Sequence, residues 1–153
     1  MNLESWLHFA HIAAAIVWLG GGVMLSLFGI RARQSGNLVV MREFARNLSY
    51  VGLRVFTPAV IVVLLSGISL VLLNSALNFT QLWVLLALGG FLLAFLIGGL
   101  YLSRSAIQLE RAANQSADLQ AASQALNRWL GGYGIVLIIL VLILWDMIFK
   151  PGI

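Results

Sequence analysis

Four apolar runs, each long enough to cross a hydrocarbon layer about 30 Å thick, occupy most of the chain: roughly 6–29, 55–74, 81–103 and 130–149. Unpaired backbone N–H and C=O groups are too costly in lipid, so such runs must be helical. Only 9% of the 153 residues are charged, against about 25% in an ordinary soluble domain. The expected fold is all-α: a single four-helix transmembrane bundle, up-down-up-down. Glu4 ahead of the first run, with no basic residue before it, argues against a cleaved leader, so this run is expected to remain as a span.

The arginines orient the spans. Arg31, Arg33, Arg42, Arg46 and Arg54 fall between the first and second runs, and Arg104, Arg111 and Arg128 between the third and fourth. The connection 74–81 is uncharged, and Lys150 is the only other basic residue. The positive-inside rule then places both basic connections in the cytoplasm and both termini outside. The net charge of +4 does not point to a nucleic acid, because the basic residues flank apolar runs instead of forming a patch. With no cysteine in the chain, disulfides, thiolate metal sites, iron–sulfur clusters and covalently attached haem are excluded.

Between the spans, 38–53 shows Met41, Phe44, Leu48 and Val51 at helical spacing with Arg42, Glu43 and Arg46 opposite. This predicts an amphipathic helix that lies at the interface or leads into span two. Pro58 is expected to bend or loosen the start of that span. The segment 104–128 predicts a helical hairpin beyond the membrane, broken at Asn114-Gln115-Ser116 with Ser116 as the next N-cap and Asp118 in the first turn. In span three, Gly90, Ala94 and Gly98 form a small-residue row that allows close helix approach, within the bundle or to a homodimer or other membrane partner. The ending Lys150-Pro151-Gly152 is a helix stop.

Chemistry concentrates in one layer. On a helix, residues seven apart differ by about 20°, so Glu4, His11, Trp18 and Gly22 share a stripe, with Ala15, Leu25 and Gly29 close to it. His8 lies on the same side. A stripe of acid, imidazole, indole and glycine is expected to face protein, since ionisable groups in lipid cost free energy. Asn74, Gln81, Trp83, Asp146 and Met147 reach the same outer depth from the other spans. His11 and His8 are candidate ligands for haem or a metal, or proton carriers; the alternative is that they only pack. Met147 is a candidate second ligand or a packing residue. Glu4, Asp146 and Lys150 are possible proton or ion-pair groups, with Asp146 and Lys150 spaced i, i+4. Gly20-Gly21-Gly22 suits close helix contact or a flat ligand, not a phosphate loop. Two histidines on one side of one helix cannot take both faces of one haem, so a second ligand must come from elsewhere, or the iron is five-coordinate.

The pattern His11-x6-Trp18-x-Gly20-Gly21, the run Arg54-Val55-Phe56-Thr57-Pro58-Ala59 leading to Ser66-Gly67, and the Lys150-Pro151-Gly152 ending resemble a superfamily of small four-helix membrane proteins. It includes copper-resistance protein D-type domains and HemJ-type protoporphyrinogen oxidases, and an uncharacterised bacterial branch is closest in layout. The HemJ-type resemblance implies b-haem on the histidine matching His11. That family's lysine early in span three has no counterpart in Gln81-Leu82-Trp83-Val84-Leu85, which tells against porphyrinogen oxidation and leaves haem binding open. The copper-resistance resemblance implies copper handling in the bacterial inner membrane. The resulting expectation is a multi-pass b-haem protein with a redox or electron-transfer role, with Trp18 and Gly22 beside the haem. Copper transport and a non-catalytic scaffold subunit are the alternatives.

Overall fold

The computed structural model describes residues 2–115 and 117–152. Its helices are α1 (Leu3–Gln34), α2 (Leu38–Val51), α3 (Thr57–Leu73), α4 (Leu82–Leu96), α5 (Ser103–Asn114) and α6 (Leu119–Phe149). Two π-helical segments, Gly52–Phe56 and Ile97–Leu102, join α2 to α3 and α4 to α5 without a break. The result is four long rods, Leu3–Gln34, Leu38–Leu73, Leu82–Asn114 and Leu119–Phe149, each apolar enough to cross a membrane. A 31-residue rod is about 46 Å long at 1.5 Å per residue. It overshoots the hydrocarbon layer, so the arginine-bearing ends project beyond it.

Local chemistry sets the ends. The Asn2 side chain accepts from the Ser5 N–H, Asn37 from Val39 and Asp118 from both Gln120 and Ala121, covering donors that a helix start leaves unpaired. Asp118 is thus the N-cap of α6; Ser116, assigned that part from the sequence, lies outside the described residues. Gly36, at φ +58°, turns the chain between α1 and α2 where a Cβ would be strained. The amphipathic segment runs straight into span two. Pro58, which has no N–H to add to the ladder, follows a π-helical turn in which both the N–H and the hydroxyl of Thr57 donate to the Gly52 carbonyl, the hydroxyl at 3.0 Å.

Three sets of contacts establish antiparallel packing. Glu4 meets Asn74 and His11 meets Val63 between α1 and α3. Gly22 lies on Tyr133 and Gly29 on Leu130 between α1 and α6, and Gly90 on Ile143 between α4 and α6. The rods therefore alternate in direction. Both termini and the 74–81 connection share one end, and the arginine-rich connections share the other. At the arginine-rich end the bundle is closed: α2 packs on α5, α5 on α6 and α1 on both α2 and α6. Alanines there (Ala45, Ala113, Ala122) are almost fully buried beside Met41, Leu109 and Leu126, so the backbones come close. At the terminal end, α3 and α4 do not pack on each other among the described residues; α1 and α6 stand between them.

The small-residue row of span three divides. Gly90 and Ala94 face α6, but a Cβ at Gly98 would meet nothing within 4 Å. The reason is the π-helical segment beginning at Ile97, which rotates Gly98 out of the row that Gly90 and Ala94 define.

Arg42 Nε and Nη2 donate to the Ala113 carbonyl at 3.1 and 2.9 Å, closing the last turn of α5 where carbonyls lack intrahelical partners and a cation is favoured. Arg42→Ala is expected to destabilise the protein by about 1.5–3 kcal/mol, the worth of a hydrogen bond to a charged group. Thermal unfolding in detergent measures it; an unchanged midpoint would show that the contact contributes nothing. The membrane orientation has its own test. Reporter fusions at Gly36 and Asn114 are expected to report cytoplasm, and fusions at Leu77 and the C-terminus the outside. The reverse pattern would invert every statement about depth.

Candidate functional site at the terminal end

The interior stripe of α1 is Ala14, Trp18, Gly22, Leu25, Gly29 and Ala32, a spacing of threes and fours that keeps one face turned inward. Trp18 packs edge-on against Phe91 of α4, 5.8 Å between centroids. Deeper, Tyr133 stacks on Trp129 at 5.0 Å and on Phe56 at 6.2 Å, and its ring fills the space that a Cβ at Gly22 would need. Gly21 lies against the Phe56 ring, whereas Gly20 meets nothing within 4 Å. Two of the three consecutive glycines therefore admit aromatic rings of this same chain.

Above that aromatic layer, His11 is half-buried between α1 and α3. Its Nδ1 is 3.0 Å from the Val63 carbonyl and 3.1 Å from Ser66 Oγ. The Ser66 hydroxyl is itself 2.5 Å from the Val62 carbonyl and donates there. Both neighbours of Nδ1 can thus accept, so Nδ1 carries the proton, and in the neutral ring Nε2 keeps its lone pair. Among the described residues Nε2 has no hydrogen-bond partner. Gly67 makes the approach possible: a Cβ there would sit 3.1 Å from His11 Cε1.

The other expected residues separate into distinct surroundings. His8 is exposed, with Nδ1 3.1 Å from the Glu4 carbonyl one turn back on its own helix. The Glu4 carboxylate accepts from Asn74 Nδ2 at 2.8 Å and ties the start of α1 to the end of α3. The register that sets Gly22 on Tyr133, continued toward the termini, brings His11 level with the turn holding Asp146 and half-buried Met147. Asp146 is 4% exposed, and neither carboxylate oxygen has a hydrogen-bond partner; the same holds for the buried Trp83 Nε1.

Lys150 does not pair with Asp146; among the described residues the ion pair found is Arg46 with Glu43. Lys150 is the left-handed cap of α6 (φ 44°, ψ 63°), so its side chain leaves the helical azimuth that i, i+4 spacing assumes. Its Nζ lies 5.2 Å from the centre of the Trp83 ring instead, a cation–π contact.

Helical spacing within α1 does not reveal the partners Val63, Ser66 and Gly67, which belong to another span. A serine–glycine pair midway along a mostly apolar span is the available signal. Tyr133 is likewise visible as a phenol within the last apolar run, although nothing local sets it against Gly22.

A family profile described as predicted integral membrane protein (DUF2269) matches residues 5–151. The chain belongs to the DUF2269 family. Its four membrane-length rods agree with that description, and this DUF2269 chain is a multi-pass integral membrane protein. No curated protein and no solved structure matches it significantly.

Proposed function

We propose that this DUF2269 protein binds b-type haem through His11 Nε2 and serves a redox or electron-transfer role in the membrane, with the terminal end at the outer face. One observation carries the reading. The His11 imidazole is pinned through Nδ1 by a carbonyl and a hydroxyl of a different helix, and its second nitrogen is left unpartnered.

A metal-ligating histidine characteristically donates its other ring N–H to a backbone carbonyl, which holds the ring and raises its basicity. Every neutral imidazole divides its nitrogens into a donor and an acceptor; what suits ligation here is that another helix holds the donor side and the acceptor side is left without a partner among the described residues. His11 would therefore be the residue to hold the iron, imidazole being a usual ligand of haem.

Haem would supply one-electron chemistry at this depth. The chain's own residues do the rest. Val63 and Ser66 keep His11 in one tautomer, and Gly67 lets the ring lie against α3. Trp18 and Phe91 close the interior on the side of the arginine-rich end. Met147, on depth alone, is the candidate for a second residue that would hold the group. Copper handling draws on these same imidazoles and Met147. Among the described residues no three His, Cys, Asp or Glu side chains cluster as a metal site, and no contact favours copper over haem.

The deciding measurement is an absorption spectrum of protein purified from haem-replete cells. A Soret band in proportion to protein supports the proposal, and protein without any haem would end it.

A further inference from the structure

At the arginine-rich end, the third and fourth rods leave a cleft of about 460 Å³ lined by Ile97, Tyr101, Arg128, Gly131, Gly132 and Ile135. One wall is the π-helical segment Ile97–Leu102, held open in part by the Ser103 hydroxyl, which donates to the Gly98 carbonyl at 3.2 Å. The other wall is α6, where Arg128, Gly131 or Gly132, and Ile135 follow one another at helical spacing. A Cβ at Gly132 would lie 2.5 Å from Tyr101 Cε1, and one at Gly131 would meet nothing within 4 Å. The missing side chain at Gly131 therefore leaves the hollow open to the surrounding lipid.

The contact of Gly132 with Tyr101 and Leu102 fixes the local register, which brings Arg128 level with Arg104. Neither guanidinium has a hydrogen-bond or ion-pair partner among the described residues. The cleft is thus apolar at Ile97 and Ile135 and lined by one arginine, Arg128, at the headgroup end, with Arg104 at the same depth on the facing rod.

We propose that it holds one anionic phospholipid of the leaflet at the arginine-rich end, with the phosphate between Arg104 and Arg128 and an acyl chain along Ile97, Ile135 and Gly131. Charge complementarity selects the occupant. Guanidinium forks match phosphate oxygens, and basic pockets between membrane helices on the cytoplasmic side suit anionic headgroups. A zwitterionic lipid carries its own cation beside the phosphate and gains less from two arginines.

The test is native mass spectrometry of the full chain released from bilayers of equal phosphatidylglycerol and phosphatidylcholine. The wild type is expected to retain one phosphatidylglycerol in preference to phosphatidylcholine, by roughly fivefold for each arginine. Arg104→Gln with Arg128→Gln should abolish the preference. Gly131→Leu should displace the lipid with both charges intact. A charge-matched control, Arg31→Gln with Arg54→Gln, should keep it. Equal retention of the two lipids by the wild type, or an equal loss in the control pair, would overturn the proposal. So would a Gly131→Leu protein that folds and still retains phosphatidylglycerol; if that variant does not fold, the two arginine pairs decide the question.

Discussion

His11→Ala is expected to remove most of the haem from the purified protein, while His8→Ala retains it. The two imidazoles are one turn apart and chemically alike, yet only His11 is held by another helix, through Val63 and Ser66. His8 is exposed and bonds only to its own backbone. Variants that leave the ligand in place refine the result. Ser66→Ala deletes one of two Nδ1 partners, and loss of such a support typically lowers metal-site affinity by about 10–100-fold. The Val63 carbonyl remains, so the low end of that range is expected. Gly67→Val, which puts carbon where His11 Cε1 now packs, should cost more without touching the ligand. Met147→Leu conserves volume and removes the sulfur; if Met147 is the sixth ligand, haem stays and its spectrum changes. Soret absorbance per protein reads each case. Haem lost in His8→Ala and kept in His11→Ala would mean that the wrong imidazole carries the proposal.

Gly22→Leu is expected to destabilise the bundle by about 1–3 kcal/mol, the usual cost of overpacking a filled interior. The Tyr133 ring occupies the position of any new side chain there, and that ring is stacked between Phe56 and Trp129, so it has little room to withdraw. Gly98→Leu serves as the paired control. A Cβ at that position would meet nothing within 4 Å, and a leucine in a lipid-facing helix carries no packing penalty. Thermal unfolding in detergent should therefore separate the two glycines. Equal midpoints for Gly22→Leu and the wild type would mean that α1 and α6 are not packed as described.

Much of this architecture is written in local pattern. The interior face of α1 can be read from Trp18, Gly22, Leu25 and Gly29, because the periodicity of a helix depends only on neighbours along the chain. The joining of the amphipathic segment to span two and the stop at Lys150-Pro151-Gly152 are equally local. The candidate site is legible only as a layer. Depth along each span follows from counting residues, so Glu4, His11, Asn74 and Asp146 can be placed in one outer layer before any contact is known.

Which of them touch depends on the azimuth of one rod against another, and single local events alter that. The π-helical turn at Ile97 moves Gly98 off the row of Gly90 and Ala94. The left-handed cap at Lys150 carries its ammonium to Trp83 and leaves Asp146 without it. By itself the sequence determined four helical spans, their alternation, the inward stripe of α1 and the depth of its histidines, since length, hydropathy and periodicity act within each span. Tertiary structure alone decided that the His11 Nδ1–H donates a hydrogen bond to α3, that Gly22 receives Tyr133, and that α3 and α4 stand apart at the terminal end. Those outcomes rest on the register and rotation of helices distant in sequence, where each face had several apolar partners of nearly equal merit and only simultaneous packing of all four rods selects among them.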